Sequence, residues 1–338
     1  GRRGGGHLHP RRASGTGRAV GRFRDEAPGP EADAAVDALL AEPFGNWHVE
    51  SAGATVQVRV TKKGDAQVHR QTSEAPAGRA EGHDRVRAHL LDPGDPLWEV
   101  IGGSAAKRRQ VDAFLRALAA TLPADGLPQP VRVVDLGCGN AYLTFAAYRY
   151  LTAVRGLDVE MAGVDVRADQ RDRNTQLARL LGYGDRLRFV AGTILDAVVE
   201  PAPDLVLALH ACDTATDEAL HRAVGWGAEW ILAAPCCHHD IAAQLRRQPA
   251  PGPYQLITGQ GILRERFADV LTDSLRAALL RSRGYKVDVI EFIDSAHTPR
   301  NLLLRARRTG QEGPTGEYDE LVAAWRVRPR LAELLGTP

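Results

Sequence analysis

Long apolar runs are absent from this 338-residue sequence. No stretch approaches the roughly 20 apolar residues that a membrane-crossing helix needs, so no membrane partner is expected. The opening residues, Gly1 to Arg24, lack the apolar centre of a secretory signal. Cysteine is scarce: Cys138, Cys212, Cys236 and Cys237 are the whole set, without the spacing of a disulfide scaffold, which suits a reducing compartment. These absences predict a soluble, cytoplasmic chain. Lysine is equally sparse, at Lys62, Lys63, Lys107 and Lys286, so arginine carries nearly all the positive charge. Net charge is missing too. Lys+Arg at 43 against Asp+Glu at 42 leaves a formal +1, which excludes a surface basic throughout and confines any polyanion contact to a local patch. No obligate protein partner is evident.

Apolar residues at 44% and charged residues at 25% are globular values, and the length suits one large domain with a smaller companion. Residues 1–30 are rich in Gly, Arg, His and Pro, and every fully charged residue before Asp25 is an arginine. This predicts a disordered tail, either an electrostatic arm for a polyanion or an extension without a role. Residues 31–122 read as a small α+β module. It has a helix over 35–40, an alternating strand over 55–60, a turn at Lys62-Lys63-Gly64-Asp65 into 66–69, and mainly helix from His83 to Leu122, broken at Pro93-Gly94-Asp95-Pro96.

Residues 123–310 read as the larger domain, with a C-terminal helical extension over 311–338. After Pro128-Gln129-Pro130, short apolar strands alternate with amphipathic helices, at 131–136, 161–166, 187–190, 204–209, 230–234, 287–293 and 302–305. The predicted fold is a doubly wound α/β, Rossmann-like, seven-stranded and mainly parallel sheet. Such sheets bind ligands at the carboxyl ends of their strands.

The first of these strands runs into Asp135-Leu136-Gly137-Cys138-Gly139-Asn140 and then a helix. The glycines permit a sharp turn close to a ligand, and the helix start offers free N–H groups. A pyrophosphate fingerprint needs a third glycine where Tyr142 stands, so a different nucleotide cofactor is expected. Asp165, closing the second strand, is placed to accept both hydroxyls of a ribose, although capping of the next helix is the plainer alternative.

The glycine loop resembles motif I of class I S-adenosylmethionine-dependent methyltransferases. The wider resemblance is to the bacterial branch of the Methyltransf_32 group. It is carried by Asp84-Arg85 with His89, Lys107-Arg108-Arg109-Gln110, the loop at Asp135 to Gly139, the strings HACDTATD from His210 and PCCHH from Pro235, and Glu291-Phe292-Ile293 with His297-Thr298-Pro299-Arg300-Asn301. The same two strings are similar to those of eukaryotic tRNA 2′-O-methyltransferases of the acceptor stem, whose zinc-binding segments are absent here. This resemblance implies S-adenosyl-L-methionine as cofactor and structured RNA as substrate. The cofactor would be held by Asp135, Gly137, Cys138, Gly139, Asn140 and Asp165, with Thr193 and Ile194 at the adenine and His210 nearby. The four-residue Lys-Asp-Lys-Glu arrangement of many ribose methyltransferases cannot be assembled from four lysines.

The fourth and fifth strands end in the two Cys-and-His strings, which should converge on one pocket. Three chemistries compete there. His210, Asp213 or His238 would deprotonate a hydroxyl or amine for direct in-line transfer, the preferred reading. Alternatively, Cys236 or Cys237 would add to a pyrimidine ring. A zinc site held by Cys212, Cys236, Cys237 and His238 is the third, but these ligands lack the spaced pairs of structural zinc sites and adjacent cysteines chelate awkwardly, so no metal is expected. Cys138 is read as a small buried hydrophobe. Lys107, Arg108, Arg109 and Arg300 are the candidate phosphate contacts. A small-molecule or protein acceptor is the alternative to RNA, and a noncatalytic RNA-binding protein is a third reading.

Overall fold

In a computed structural model of the chain, the structure describes residues 7–12, 44–51, 54–60, 65–72, 89–209, 211–291 and 302–337. Two compact units divide between Arg87 and Ala88. The first unit contains a four-stranded antiparallel sheet, β1 (His7–Arg12), β2 (Phe44–Ser51), β3 (Ala54–Val60) and β4 (Ala66–Thr72), in that spatial order. The expected hairpin is present as β3 and β4, with Val58 opposite Val68. Strand β1 departs from the expected tail without order: His7 to Arg12 pair with β2, whose outer edge would otherwise leave its N–H and C=O groups unpaired. The expected helix over 35–40 lies outside the described residues.

The second unit holds α1 (Leu97–Ile101), α2 (Ala105–Thr121), β5 (Val131–Leu136), α3 (Tyr142–Arg149, extended by a π turn over Tyr150–Val154), β6 (Val159–Asp165), α4 (Ala168–Leu180), β7 (Leu187–Ala191), β8 (Leu205–Ala208), α5 (Thr214–Trp226), β9 (Trp230–Ala233), α6 (His239–Arg247), α7 (Gln255–Thr258), α8 (Gly261–Ser282), β10 (Tyr285–Glu291), β11 (Leu302–Arg308), α9 (Gly316–Trp325) and α10 (Arg330–Leu335). Its sheet runs β10-β11-β9-β8-β5-β6-β7. Neighbours from β9 to β7 pair in parallel, and β11 runs antiparallel to both β9 and β10. All seven expected strands are present, with small shifts at their ends.

Strand alternation sorts the core into two layers. Val133, Leu205, Leu207, Trp230, Leu232 and Leu303 face one layer, packed with Phe114, Leu118 and Phe145 of α2 and α3. Val134, Val206, Ala208, Ile231, Ala233 and Leu304 face the other, with Leu220 of α5 and Leu271 and Leu275 of α8. Burial on both faces explains why these strands read as nearly unbroken apolar runs. Helix α2, expected with the N-terminal module, belongs instead to this unit, because Val111, Phe114, Leu115 and Leu118 are all buried in the first layer. The C-terminal helices also lie in this unit, with Trp325 and Leu331 in the second layer. No helix among the described residues is long and apolar enough to cross a membrane.

Candidate functional site

Strand β5 has β6 on one side and β8 on the other, so the chain leaves it toward opposite edges of the sheet. A crevice opens at the carboxyl end of such a strand, and the glycine loop sits there. Gly137 has φ 77° and Gly139 φ 55°, the left-handed region that glycine enters without penalty. A Cβ on Gly137 would also lie 3.4 Å from the backbone of Ala211, in the loop after β8. The N–H groups of Gly137 and Cys138 both donate to Val164 O, at 2.9 and 3.0 Å, which fastens the loop to β6.

Two carboxylates frame this loop. Asp135 is buried, and its Oδ2 accepts a 2.5 Å bond from Thr144 Oγ1. Its Oδ1 is buried without a hydrogen-bond partner. Burial pushes the Asp135 carboxyl up to about 7, against the pull of the Thr144 hydroxyl and with a smaller push from Asp165. Asp165, at the end of β6, accepts from Gly139 N at 2.9 Å through Oδ2, and from Arg167 N and Nε at 3.0 and 3.1 Å through Oδ1. A carboxylate has about four acceptor positions and three are taken, so capacity for one ligand hydroxyl remains. Asn174 completes the frame by donating to Gly139 O at 2.8 Å.

Asn140 is exposed beside the loop, while Cys138 is buried and its thiol is pushed far above the ordinary range by burial and the two carboxylates. At the expected adenine position, Thr193 Oγ1 donates to Asp196 Oδ2 at 2.6 Å, and Ile194 is buried in the second core layer. A ligand there would meet chiefly the backbone of these residues.

The loops after β8 and β9 come together as expected, and they bring three of the four residues of the disfavoured zinc alternative into one cluster. Cys212 Sγ lies 2.7 Å from Cys236 Sγ, and Cys236 Sγ lies 3.7 Å from Cys237 Sγ. All three sulfurs fall within 4.8 Å of one another, with Cys212 exposed and the other two half-buried. Burial, then the neighbouring Cys212 thiol, pushes both Cys236 and Cys237 up, against the direction that would activate either as a thiolate, so the nucleophilic-cysteine expectation finds no support there.

His238 is corrected as well. It is buried, with Nε2 2.9 Å from Asp273 Oδ2 and Nδ1 3.0 Å from Asp269 Oδ1. Burial alone would lower its pKa, but the two aspartates outweigh it and the net direction is upward. Both ring nitrogens face carboxylates inside the core, so His238 is not placed to take a substrate proton. Its partners on α8 were missed. Arg276, also buried, forks onto Asp217 at 2.9 and 2.7 Å, bonds Asp273 at 3.1 Å, and donates to Asp213 O at 2.8 Å. The available signal was the spacing 269, 273 and 276, a charged stripe on the face where α8 buries Leu275 and Leu279.

Asp213 has φ 53°, a strained value for a residue with a Cβ, and its Oδ1 accepts from Asp240 N at 3.1 Å. It therefore ties the loop after β8 to the start of α6. His210 and Arg300 lie outside the described residues.

Of the expected phosphate contacts, two are turned inward. Lys107 Nζ donates to Ile101 O at 2.5 Å and sits 5.0 Å from the centre of the Tyr142 ring. Arg108 donates to Gly103 O and Pro93 O, at 2.8 and 2.7 Å, over the ring of Trp98. Both close the 93–103 turn, whose carbonyls take their charge, whereas Arg109 is exposed.

Residues 106–244 match the Methyltransf_32 family model, described as a methyltransferase domain. Among curated proteins, a probable chloroplastic tocopherol O-methyltransferase of Oryza sativa subsp. japonica is 28% identical over 192 residues, 49% of this chain and 49% of that one. The chain thus spans about half the length of that relative. A geranyl diphosphate C-methyltransferase from Streptomyces coelicolor A3(2), solved with Mg2+, geranyl diphosphate and S-adenosyl-L-homocysteine, aligns at TM-score 0.40 and 15% identity, over 66% of this chain and 86% of that one. A methyltransferase of Podospora anserina bound to S-adenosyl-L-homocysteine aligns at TM-score 0.38 and 16% identity, over 71% and 100%.

Proposed function

Proceeding from a methyltransferase domain at residues 106–244, we propose that this chain transfers a methyl group from S-adenosyl-L-methionine to a small acceptor at the carboxyl ends of β8 and β9. The observation that carries this reading is Asp135: a buried carboxylate with one oxygen unpartnered, beneath a loop whose positive φ at Gly137 disfavours a side chain. An orphaned anionic group of this kind fits a cationic ligand. Asp165 would hold a ribose hydroxyl, Gly137 and Gly139 would admit the cofactor closely, and Thr193 and Ile194 would flank the adenine. When bound, the cofactor supplies an electrophilic methyl group on a sulfonium.

The chain's own part is to orient and exclude. Thr144 fixes one oxygen of Asp135, Gly139 N–H and Arg167 fix Asp165, and the ion network on α8 fixes the two acceptor-side loops. With His238 buried against Asp269 and Asp273, the acceptor proton leaves to solvent or to a group the acceptor itself brings. A small acceptor is favoured over structured RNA because Lys107 and Arg108 spend their charge on backbone carbonyls rather than on an open phosphate track. The tocopherol methyltransferase relative points the same way.

Incubation with methyl-labelled S-adenosylmethionine and separated metabolite, RNA and protein fractions tests the acceptor class. Label should enter the metabolites. Label confined to RNA would replace the small acceptor by RNA. For the cofactor site, Asp165→Ala should weaken S-adenosylmethionine binding by roughly 1–3 kcal/mol, the cost of leaving charged hydrogen-bond partners unmade. Calorimetry on the folded variant measures it, and an unchanged affinity would move the ribose elsewhere.

A further inference from the structure

Cys212, Cys236 and Cys237 form the group of potential metal ligands found among the described residues. Packing does not account for it. Cysteines that only fill space are buried, as Cys138 is, whereas Cys212 is exposed and the other two are half-buried. Each loop is also pinned beside its sulfur. Asp213, next to Cys212, is held through its carbonyl by Arg276, and His238, next to Cys237, is held by Asp273. The Asp240 N–H to Asp213 Oδ1 bond then ties the two loops directly together. Supporting bonds of this kind orient metal ligands and are characteristic of built sites.

We propose that Cys212, Cys236 and Cys237 bind one soft divalent cation such as zinc through three thiolates, leaving the fourth coordination position for the heteroatom of an acceptor. A tetrahedral centre with zinc–sulfur bonds of roughly 2.3 Å sets its sulfurs about 3.8 Å apart. Cys236 and Cys237 already meet that spacing at 3.7 Å, which answers the objection that adjacent cysteines chelate poorly. Cys212 has to withdraw from Cys236, from 2.7 Å, on loading. Each thiol releases its proton to solvent as it becomes a ligand. Three protein ligands and one open position is the pattern of a catalytic rather than a structural zinc site. The same ion would favour the anionic form of a bound thiol or hydroxyl. Only the identity of the fourth ligand rests on the methyltransferase reading.

Cobalt(II) is the probe, added to the full chain after chelator treatment and under a phosphine reductant. One cobalt per chain should bind, with a thiolate-to-metal charge-transfer band in the near ultraviolet and the strong visible absorption of a tetrahedral site, and zinc should displace it. Cys212→Ser, Cys236→Ser and Cys237→Ser should each weaken binding by at least about a hundredfold, since loss of even an outer partner costs roughly 10–100-fold. A simple monothiol should shift the visible bands by entering the fourth position. S-adenosylmethionine calorimetry and circular dichroism on every variant separate a lost ligand from a lost fold.

No cobalt band in reduced protein that still binds S-adenosylmethionine overturns the site, as does a band that Cys212→Ser leaves intact in a folded variant. Bands unmoved by the monothiol overturn the open position. A cobalt site in protein that fails to bind S-adenosylmethionine supports the metal centre and removes the methyltransferase reading instead.

Discussion

Arg276→Ala is expected to lower the stability of the larger unit by about 3–5 kcal/mol, the usual cost of removing one partner from a buried ion pair. The substitution leaves Asp217 and Asp273, both buried, without the guanidinium that neutralises them, and frees the carbonyl of the strained Asp213. At about 2–4 °C per kcal/mol for a unit of this size, the melting temperature should fall by roughly 6–20 °C. Arg276→Lys should be intermediate, because an ammonium keeps the charge but loses the two-pronged bond to Asp217. Thermal and urea melts of both variants check this, and an unchanged Arg276→Ala protein would mean that solvent reaches the network. Where Arg276→Lys folds, its cobalt spectrum reports whether the two cysteine loops still meet.

Asp135→Asn should change the pH dependence of stability by a comparable amount. The Asp135 carboxyl is raised by burial to about 7 in the folded protein and lies near 3.8 in the unfolded chain. Between those values the folded state holds a proton that the unfolded state has lost, so wild-type stability falls as pH rises from about 4 to 7 and is flat above. Over the two units from pH 5 to 7 the loss is about 2–3 kcal/mol at 1.36 kcal/mol per unit. Asparagine does not titrate, so relative to wild type the variant should gain that amount between pH 5 and 8, as denaturant melts at both pH values would register. Cofactor binding should move the opposite way in the wild type. A cation needs the ionised carboxylate, so affinity should rise as pH passes through 7, and Asp135→Asn should flatten that rise. A stability difference between the two proteins that ignores pH would place the Asp135 titration outside this range.

The seven strands were legible because a strand covered on both faces is apolar throughout, as Val131 to Leu136 and Leu205 to Ala208 are. The glycine loop and Asp165 were legible because a strand, a turn needing positive φ and a carboxylate after the next strand follow one another in sequence. What stayed hidden depends on partners far along the chain. Arg276 meets Asp217 across 59 residues, and His238 meets Asp273 across 35. A histidine after a strand looks like a base until its two carboxylates are seen. Lys107 and Arg108 look like an RNA patch because their real partners, the carbonyls of Pro93, Ile101 and Gly103, have no side-chain signature. Convergence of the two cysteine strings could be foreseen from strand order, but not the separation of the sulfurs, which depends on the conformations of both loops.

The position of β11 also bears on how the chain is made. Strand β10 precedes β11 in the chain, yet it joins the sheet only through β11, which lies between it and β9. During synthesis from the N-terminus, the sheet can therefore advance only as far as β9, whose outer edge stays open until the residues up to Arg308 have left the ribosome. The apolar strand Trp230–Ala233 and the alternating strand Tyr285–Glu291 would wait together in that interval. An unpaired strand edge of this kind is where a nascent chain is most exposed to misassembly.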